Sequence, residues 1–357
     1  MQNVRVLLRS NSVKATLLVL LSIALVSCET VGYYSQAARG QLTIVFGRED
    51  IQQLLKAEQD LPDELVEKFA IVMDIREFAE SELGLPVGGN YSSYVDIERE
   101  HVVWNVFAAT EFSVDPVNWC YPIAGCVAYR GYFSEQSALS YAAKLEEDGF
   151  DVYTGGVDAY STLGWFEDSL LSTVLNRADY QLAGLLFHEL AHQLVYLPGD
   201  TTFNESFATA VEREGVRRWL AKSNKASNID AALLDYDRQQ QFVDLVTDYR
   251  DRFESLYQLA LNESSMRSQK LELQQTLREE YATLKQQWQG YEGYDGWFSR
   301  SLNNAQLSTV ASYNDLLPFF AAVFEQSNQD FSAFYTEVSR LADLPEQERD
   351  ELIAAIE

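Results

Sequence analysis

Two of the three histidines in the chain, His188 and His192, stand four residues apart, with Glu189 directly after the first. On a helix this spacing projects both imidazoles from one face and puts the carboxylate one step round. It is the H-E-x-x-H arrangement in which paired imidazoles bind zinc and the carboxylate acts as general base. From Leu182 to Val195 the only polar side chains are His188, Glu189, His192 and Gln193. A helix so apolar around its circumference is expected to be buried, and its polar groups then need partners. One metal ion held by both imidazoles, with the carboxylate facing a bound water, would satisfy three of the four. The competing reading is a metal-free core helix whose imidazoles bond backbone carbonyls.

Pro198-Gly199 is where such a helix can stop. A second helix is expected at once, capped from Asp200, Thr201 or Thr202 and periodic to Leu220. A third metal ligand would come from this second helix folded back on the first, and Glu205 is best placed for it. Thr202-x-x-Glu205 is equally a capping box, in which the carboxylate bonds only backbone. Glu212, two turns beyond Glu205, is a candidate acceptor for an imidazole N–H. Asn204 is a candidate for binding backbone near a substrate.

The segments HELAHQ (residues 188–193) and NESFA (204–208) resemble the signature of gluzincin peptidases, where the aminopeptidase N group has a similar HELAHQ and then NEGFA on the next helix. The interval between the two is shorter here. More closely, GYYSQAARGQL, WCYPIAGCVAYRGYF, AYSTLGWFEDSLLSTVL, the 188–215 segment and SLNNAQLSTVASYNDLLPFF resemble a family of bacterial lipoproteins assigned to the aminopeptidases by analogy. The resemblance covers most of the chain after its leader. It implies one Zn2+ per chain on His188, His192 and Glu205, Glu189 as base, and a peptide as substrate. It also implies an oxyanion donor from a later helix, for which Tyr313 stands in the family-like segment. Asp158 loosely resembles the acidic position that receives a substrate amino terminus, with a turn or surface aspartate as the alternative. Peptidases of this class often hold substrate against a strand edge upstream of the zinc helix, and Gly155-Gly156 would admit a second backbone there.

The first 27 residues read as a signal peptide: Arg5, Arg9 and Lys14 precede an apolar run from Ala15 to Val26, and Leu25-Val26-Ser27-Cys28 resembles a lipobox. Cleavage before Cys28 and its acylation would attach the chain to a bilayer, with the outer membrane facing the periplasm as the expected address. The alternative is a transmembrane anchor, for which the apolar run is short. Assigning Cys28 to lipid leaves Cys120 and Cys126, expected as a disulfide closing a short loop in an oxidising compartment. Removing the leader takes three basic residues and no acidic one, so 27 basic against 54 acidic side chains becomes 24 against 54, and the formal charge goes from -27 to -30. Such acidity excludes nucleic acid as a partner.

The elements that must position these residues are read from periodicity. Residues 29 to about 51 form an amphipathic lead-in, and Leu61–Leu83 a helix begun by Pro62. Short β-rich runs follow between Tyr91 and Phe133. A helix spans Ser134–Gly149, and a strand Phe150–Leu163. His101, between two strands, is expected as a packing or surface histidine. Two apolar stripes, Phe242 to Ala260 and Leu277 to Trp288, with 262–265 between them, predict an antiparallel helical hairpin. One helix over Leu302–Phe324 and a last one over Phe331–Leu341 complete the chain. The expected fold class is α+β, a gluzincin-like core of small sheet and zinc-binding helix pair with a predominantly helical C-terminal half. Its parts are 28–165 (N-terminal α+β), 166–220 (zinc-binding helices) and 221–357 (helical). An endopeptidase, or an envelope scaffold binding partners through the hairpin, are the alternative functions.

Overall fold

The computed structural model describes residues 31–57, 61–121, 125–159, 162, 166–222, 226–311 and 316–355. The expected signal peptide and Cys28 lie outside them, as does Tyr313. The chain divides into a unit ending at Gly47, described as helix α1 (residues 31–46), and a unit from Arg48 to Glu357. Among the described residues no helix is long and apolar enough to cross a membrane.

Among its described residues the larger unit mixes helices with three small sheets. After β1 (Glu49–Asp50) and α2 (Ile51–Ala57) comes α3 (Asp63–Ser81). Pro62 precedes α3, Asp63 and Glu64 fill its first turn, and it buries Phe69, Val72, Ile75, Phe78 and Ala79, the spacing of one helical face. Strand β2 (Ser93–Val95) pairs antiparallel with β1 and parallel with the distant β8 (Leu170–Leu171). The second sheet has β3 (Val103–Thr110) at its centre, flanked antiparallel by β6 (Arg130–Tyr132) and β7 (Phe150–Val157). Between β3 and β6, β4 (Trp119–Tyr121) and β5 (Gly125–Val127) form a hairpin with Cys120 opposite Cys126, and these two are joined by a disulfide. Helix α4 (Glu135–Glu147) packs on β3 and β7; the Ser134 hydroxyl caps it by accepting from the Ser137 N–H, and Gly149 ends it at φ 87°. Strand β7 stops at Val157, short of the expected Leu163, because the chain leaves the sheet where Asp158 turns to partners outside it.

Helices α5 (Asp179–Ala191) and α6 (Thr201–Lys222) lie side by side. They share a core with α3, α11 (Leu317–Gln326) and α12 (Phe331–Ala342), built on Phe187, Phe203, Phe207, Phe320 and Phe334. A second core lies between α7 (Ala226–Tyr257) and α8 (Glu263–Gln287), the hairpin, closed by α9 (Asp295–Phe298) and α10 (Asn304–Ala311). Helix α7 is longer than its apolar stripe suggested, because its first turns pack partly on the other core.

Two expectations about the C-terminal part are corrected. The single helix over Leu302–Phe324 is two, α10 and α11; Pro318 stands at the start of the second, where its missing N–H costs nothing. Phe331–Ala342 is not the last helix: Pro345 leads into α13 (Glu346–Ala354), whose charged sequence hides it from a search for apolar stripes.

Candidate metal centre

Helix α5 carries the H-E-x-x-H segment at its C-terminal end. It runs to Ala191, and His192 is its αR-type C-cap, so the helix stops ahead of Pro198-Gly199, where the sequence places its end. Leu182, Ala183, Leu186, Phe187, Leu190 and Ala191 are buried on several sides of it, together with His188, as its nearly continuous apolar sequence requires. Gly184 lies one turn before His188, and a Cβ there would come within 3.1 Å of Glu212 Oε1 and 3.2 Å of Glu212 Cγ. Across the interface, a Cβ on Gly215 would meet Phe187 Cδ2 at 2.7 Å. These two glycines let α5 and α6 approach closely enough for side chains of one to reach the imidazoles of the other.

The competing roles of Glu205 separate here. Helix α6 is capped by Asp200, whose Oδ1 accepts from the Phe203 N–H at 2.9 Å, so the N-cap position that a Thr202 capping box would need is already filled upstream. Glu205 Oε2 instead lies 3.2 Å from His188 Nε2 and 3.7 Å from His192 Nε2. The three side chains each offer a ligand atom, all within 4.8 Å of one another. The other ring nitrogen of His188, Nδ1, lies 3.2 Å from Glu212 Oε2, which orients the ring. His192 Nδ1 is buried without a hydrogen bond among the described residues.

The electrostatics follow from this crowding. Burial works against charge on Glu205, but hydrogen bonds and attraction from His188 and His192 outweigh it and hold the carboxyl down at about 2. Burial likewise disfavours a charged His188, yet Glu205 and Glu212 on its two nitrogens push it well above the usual imidazole range. Glu189 is raised, first by burial; the histidines oppose this, and Glu205 and Asp168 add to it. A buried pair of imidazoles and a carboxylate converging on one point, with one imidazole backed by a second carboxylate, fit the donor set of a divalent metal site.

Other expected residues fall elsewhere. Asn204 is buried, and its carboxamide is spent within the chain: Oδ1 accepts from the Leu197 N–H at 2.7 Å and Nδ2 donates to the Leu197 carbonyl at 2.8 Å. It clamps the turn between α5 and α6 instead of presenting a group to a substrate. Asp158 accepts from Arg177 at 3.0 Å on Oδ2 and faces His101 Nδ1 at 2.7 Å on Oδ1. Its carboxylate is thus taken up by two partners, and His101 is a part-exposed side chain that bonds Asp158 and packs edge-on against the Trp104 ring. The His101 ring also lies over Gly156, where a Cβ would fall 2.0 Å from Cδ2.

A polar cluster beside the site went unnoticed in the sequence. Gln193 exchanges hydrogen bonds with Asn90 and donates to Asp168 Oδ2 at 3.2 Å. Asn90 Oδ1 also accepts from the Asp168 N–H at 2.8 Å. Together they brace the residue following His192. Tyr91, with φ 57°, donates its N–H to the Asp168 carbonyl; its hydroxyl is pushed well up by burial and by the nearby charges of Glu189 and Asp168. The signals are faint: Gly88-Gly89-Asn90 reads only as a loop after a helix, and Asp168 carries no spacing that ties it to the histidines.

Two histidines and a glutamate on paired helices, with Glu189 between the histidines in sequence, form a group that could hold a metal ion. The model of the family described as "Putative aminopeptidase" matches residues 32–353, and the chain belongs to that family. No curated protein and no solved structure matches it.

Proposed function

We propose that this protein is a zinc-dependent aminopeptidase. The observation that carries the reading is the convergence of His188, His192 and Glu205 within 4.8 Å on the helix pair that also bears Glu189. Zinc bound by these three would act as a Lewis acid and lower the pKa of a water to about 7. Glu189 accepts the proton of the attacking water and returns it to the leaving amine. A carboxyl raised by burial is a better base than an exposed one and is matched to that task. Glu212 holds the His188 ring through Nδ1, and Gln193, braced by Asn90 and Asp168, holds the chain that follows His192. The family description supports cleavage from the amino end. By this reading the chain is also lipid-anchored through Cys28 and works at the outer membrane, facing the periplasm, where the Cys120–Cys126 disulfide persists.

The test measures zinc content and peptide cleavage together on the full chain. Wild type is expected to hold about one zinc and shorten peptides from the amino end. Glu189→Gln should keep the zinc and lose about 10²- to 10⁴-fold in rate, and Glu205→Ala should lose the zinc. A wild type without metal, or an active Glu189→Gln, removes the hydrolase reading; cuts confined to peptide interiors replace the aminopeptidase by an endopeptidase.

A further inference from the structure

Helix α13 is charged along most of its length, and the side chain it buries is Arg349, 5 % exposed. Burying a guanidinium is unfavourable unless it is paired. Its charged partner is Asp200, with Arg349 Nη2 3.2 Å from Asp200 Oδ2, while Nη1 donates to the Leu344 carbonyl at 3.4 Å. The other oxygen of the same carboxylate caps α6 through the Phe203 N–H, and the Arg349 guanidinium stands over the Phe203 ring, 5.7 Å from its centroid. The C-terminal helix therefore grips the first turn of the helix that carries Glu205, at the residue that decides where that helix begins.

The turn from His192 to Asp200 is held at two further points. Asn204 clamps the Leu197 backbone. Gly125, at φ 74° in the disulfide hairpin, lies against Gly199, so that a Cβ on it would fall 3.2 Å from the Gly199 nitrogen. Residue 204 is fixed to the turn and residue 203 to the cap, and Glu205 follows them directly. The height of its carboxylate against His188 and His192 is then set by these holds. An ion pair serving only to attach α13 could sit anywhere on the core; this one ends on the N-cap of the helix that carries Glu205.

We propose that Arg349 is a positioning residue for the metal centre, acting through Asp200 to place Glu205; this rests on the zinc reading above. Support groups behind metal ligands typically change affinity 10- to 100-fold when lost, and one acting through a helix cap belongs at the lower end. The experiment measures zinc affinity of the full chain by chelator competition, alongside the thermal midpoint of the metal-free form. Arg349→Met and Asp200→Asn are each expected to weaken zinc about 10-fold, and the double variant no more than the worse single one. Arg349→Lys should recover part of the loss. Asp200→Asn keeps an acceptor for the Phe203 N–H, so it carries the test if Arg349→Met does not fold. Wild-type affinity in the variants, with only the midpoint lowered, overturns the proposal and leaves the zinc reading standing. A wild type that takes up no zinc overturns both.

Discussion

Glu212 touches His188 on the nitrogen away from Glu205, so it acts on the centre only through the orientation and basicity of that ring. Glu212→Ala is expected to weaken metal binding about 10- to 100-fold while leaving the pattern of peptide cleavage unchanged, as checked by chelator competition and product analysis. Protons compete at the same atoms. Glu205 is depressed to about 2 from an unfolded value of about 4.3, so its contribution to stability is present above the unfolded value and is lost as pH falls toward 2. His188 is raised above its unfolded value of about 6.5, so its contribution is complete below that value and is lost as pH rises through the folded one. The metal-free protein should therefore melt highest between roughly pH 4.5 and 6.5. Zinc affinity should rise with pH, because binding displaces the His188 proton. Melting curves of the metal-free chain across pH, and zinc titrations at three pH values, check both.

The contact of α5 with α6 rests on two glycines, which differ in what an added methyl group would meet. At Gly215 it would lie 2.7 Å from Phe187 Cδ2 and 2.9 Å from Leu83 Cδ1, ring and branch atoms inside a packed core that cannot retreat freely. Gly215→Ala is expected to cost about 1–3 kcal/mol of stability, measurable by denaturant unfolding. At Gly184 the neighbour is the carboxylate end of Glu212 at 3.1 Å, which can swing aside. Gly184→Ala should cost little stability and instead reduce zinc affinity, by drawing Glu212 off His188. Similar stability losses with unchanged metal affinity in both would refute this division. The helix pair was legible as elements from the apolar run of 182–195 and from Pro198-Gly199. Its closeness was not, because a glycine inside a helix reads in sequence only as a weak helix former.

At the scale of the molecule, the α7–α8 hairpin and the β3–β7 sheet are joined by a buried cation. Lys270 Nζ lies 2.6 Å from Asp151 Oδ2 and donates to the Glu111 carbonyl at 2.8 Å. Asn304 Nδ2 donates to the Thr110 and Glu111 carbonyls, and its N–H to Asp151. Lys270→Met leaves the Asp151 carboxylate without its cation and is expected to cost about 3 kcal/mol, read as a lowered denaturation midpoint. The hairpin is thus part of the folded body, fastened through polar atoms as well as through the apolar stripe that revealed it.

What the sequence determined by itself was local. His188 and His192 share a helix face, with Glu189 one step round, because 3.6 residues make a turn, and the disulfide pair is what remains once Cys28 is assigned to lipid, its cysteines six apart. The α3 face and the hairpin stripes are periodic for the same reason. Glu205 could be named but not assigned, since a ligand and a capping box share one spacing until Asp200 is seen to hold the cap. Only the tertiary structure decided which polar groups meet. It spent Asp158 on His101 and Arg177 and Asn204 on Leu197, joined Asn90 to Asp168 across 78 residues, and joined Asp200 to Arg349 across 149. Apolar burial is non-directional and leaves its period in the chain. A hydrogen bond or ion pair depends on the position of one atom against another brought from far away, and that position exists only once the layers have packed.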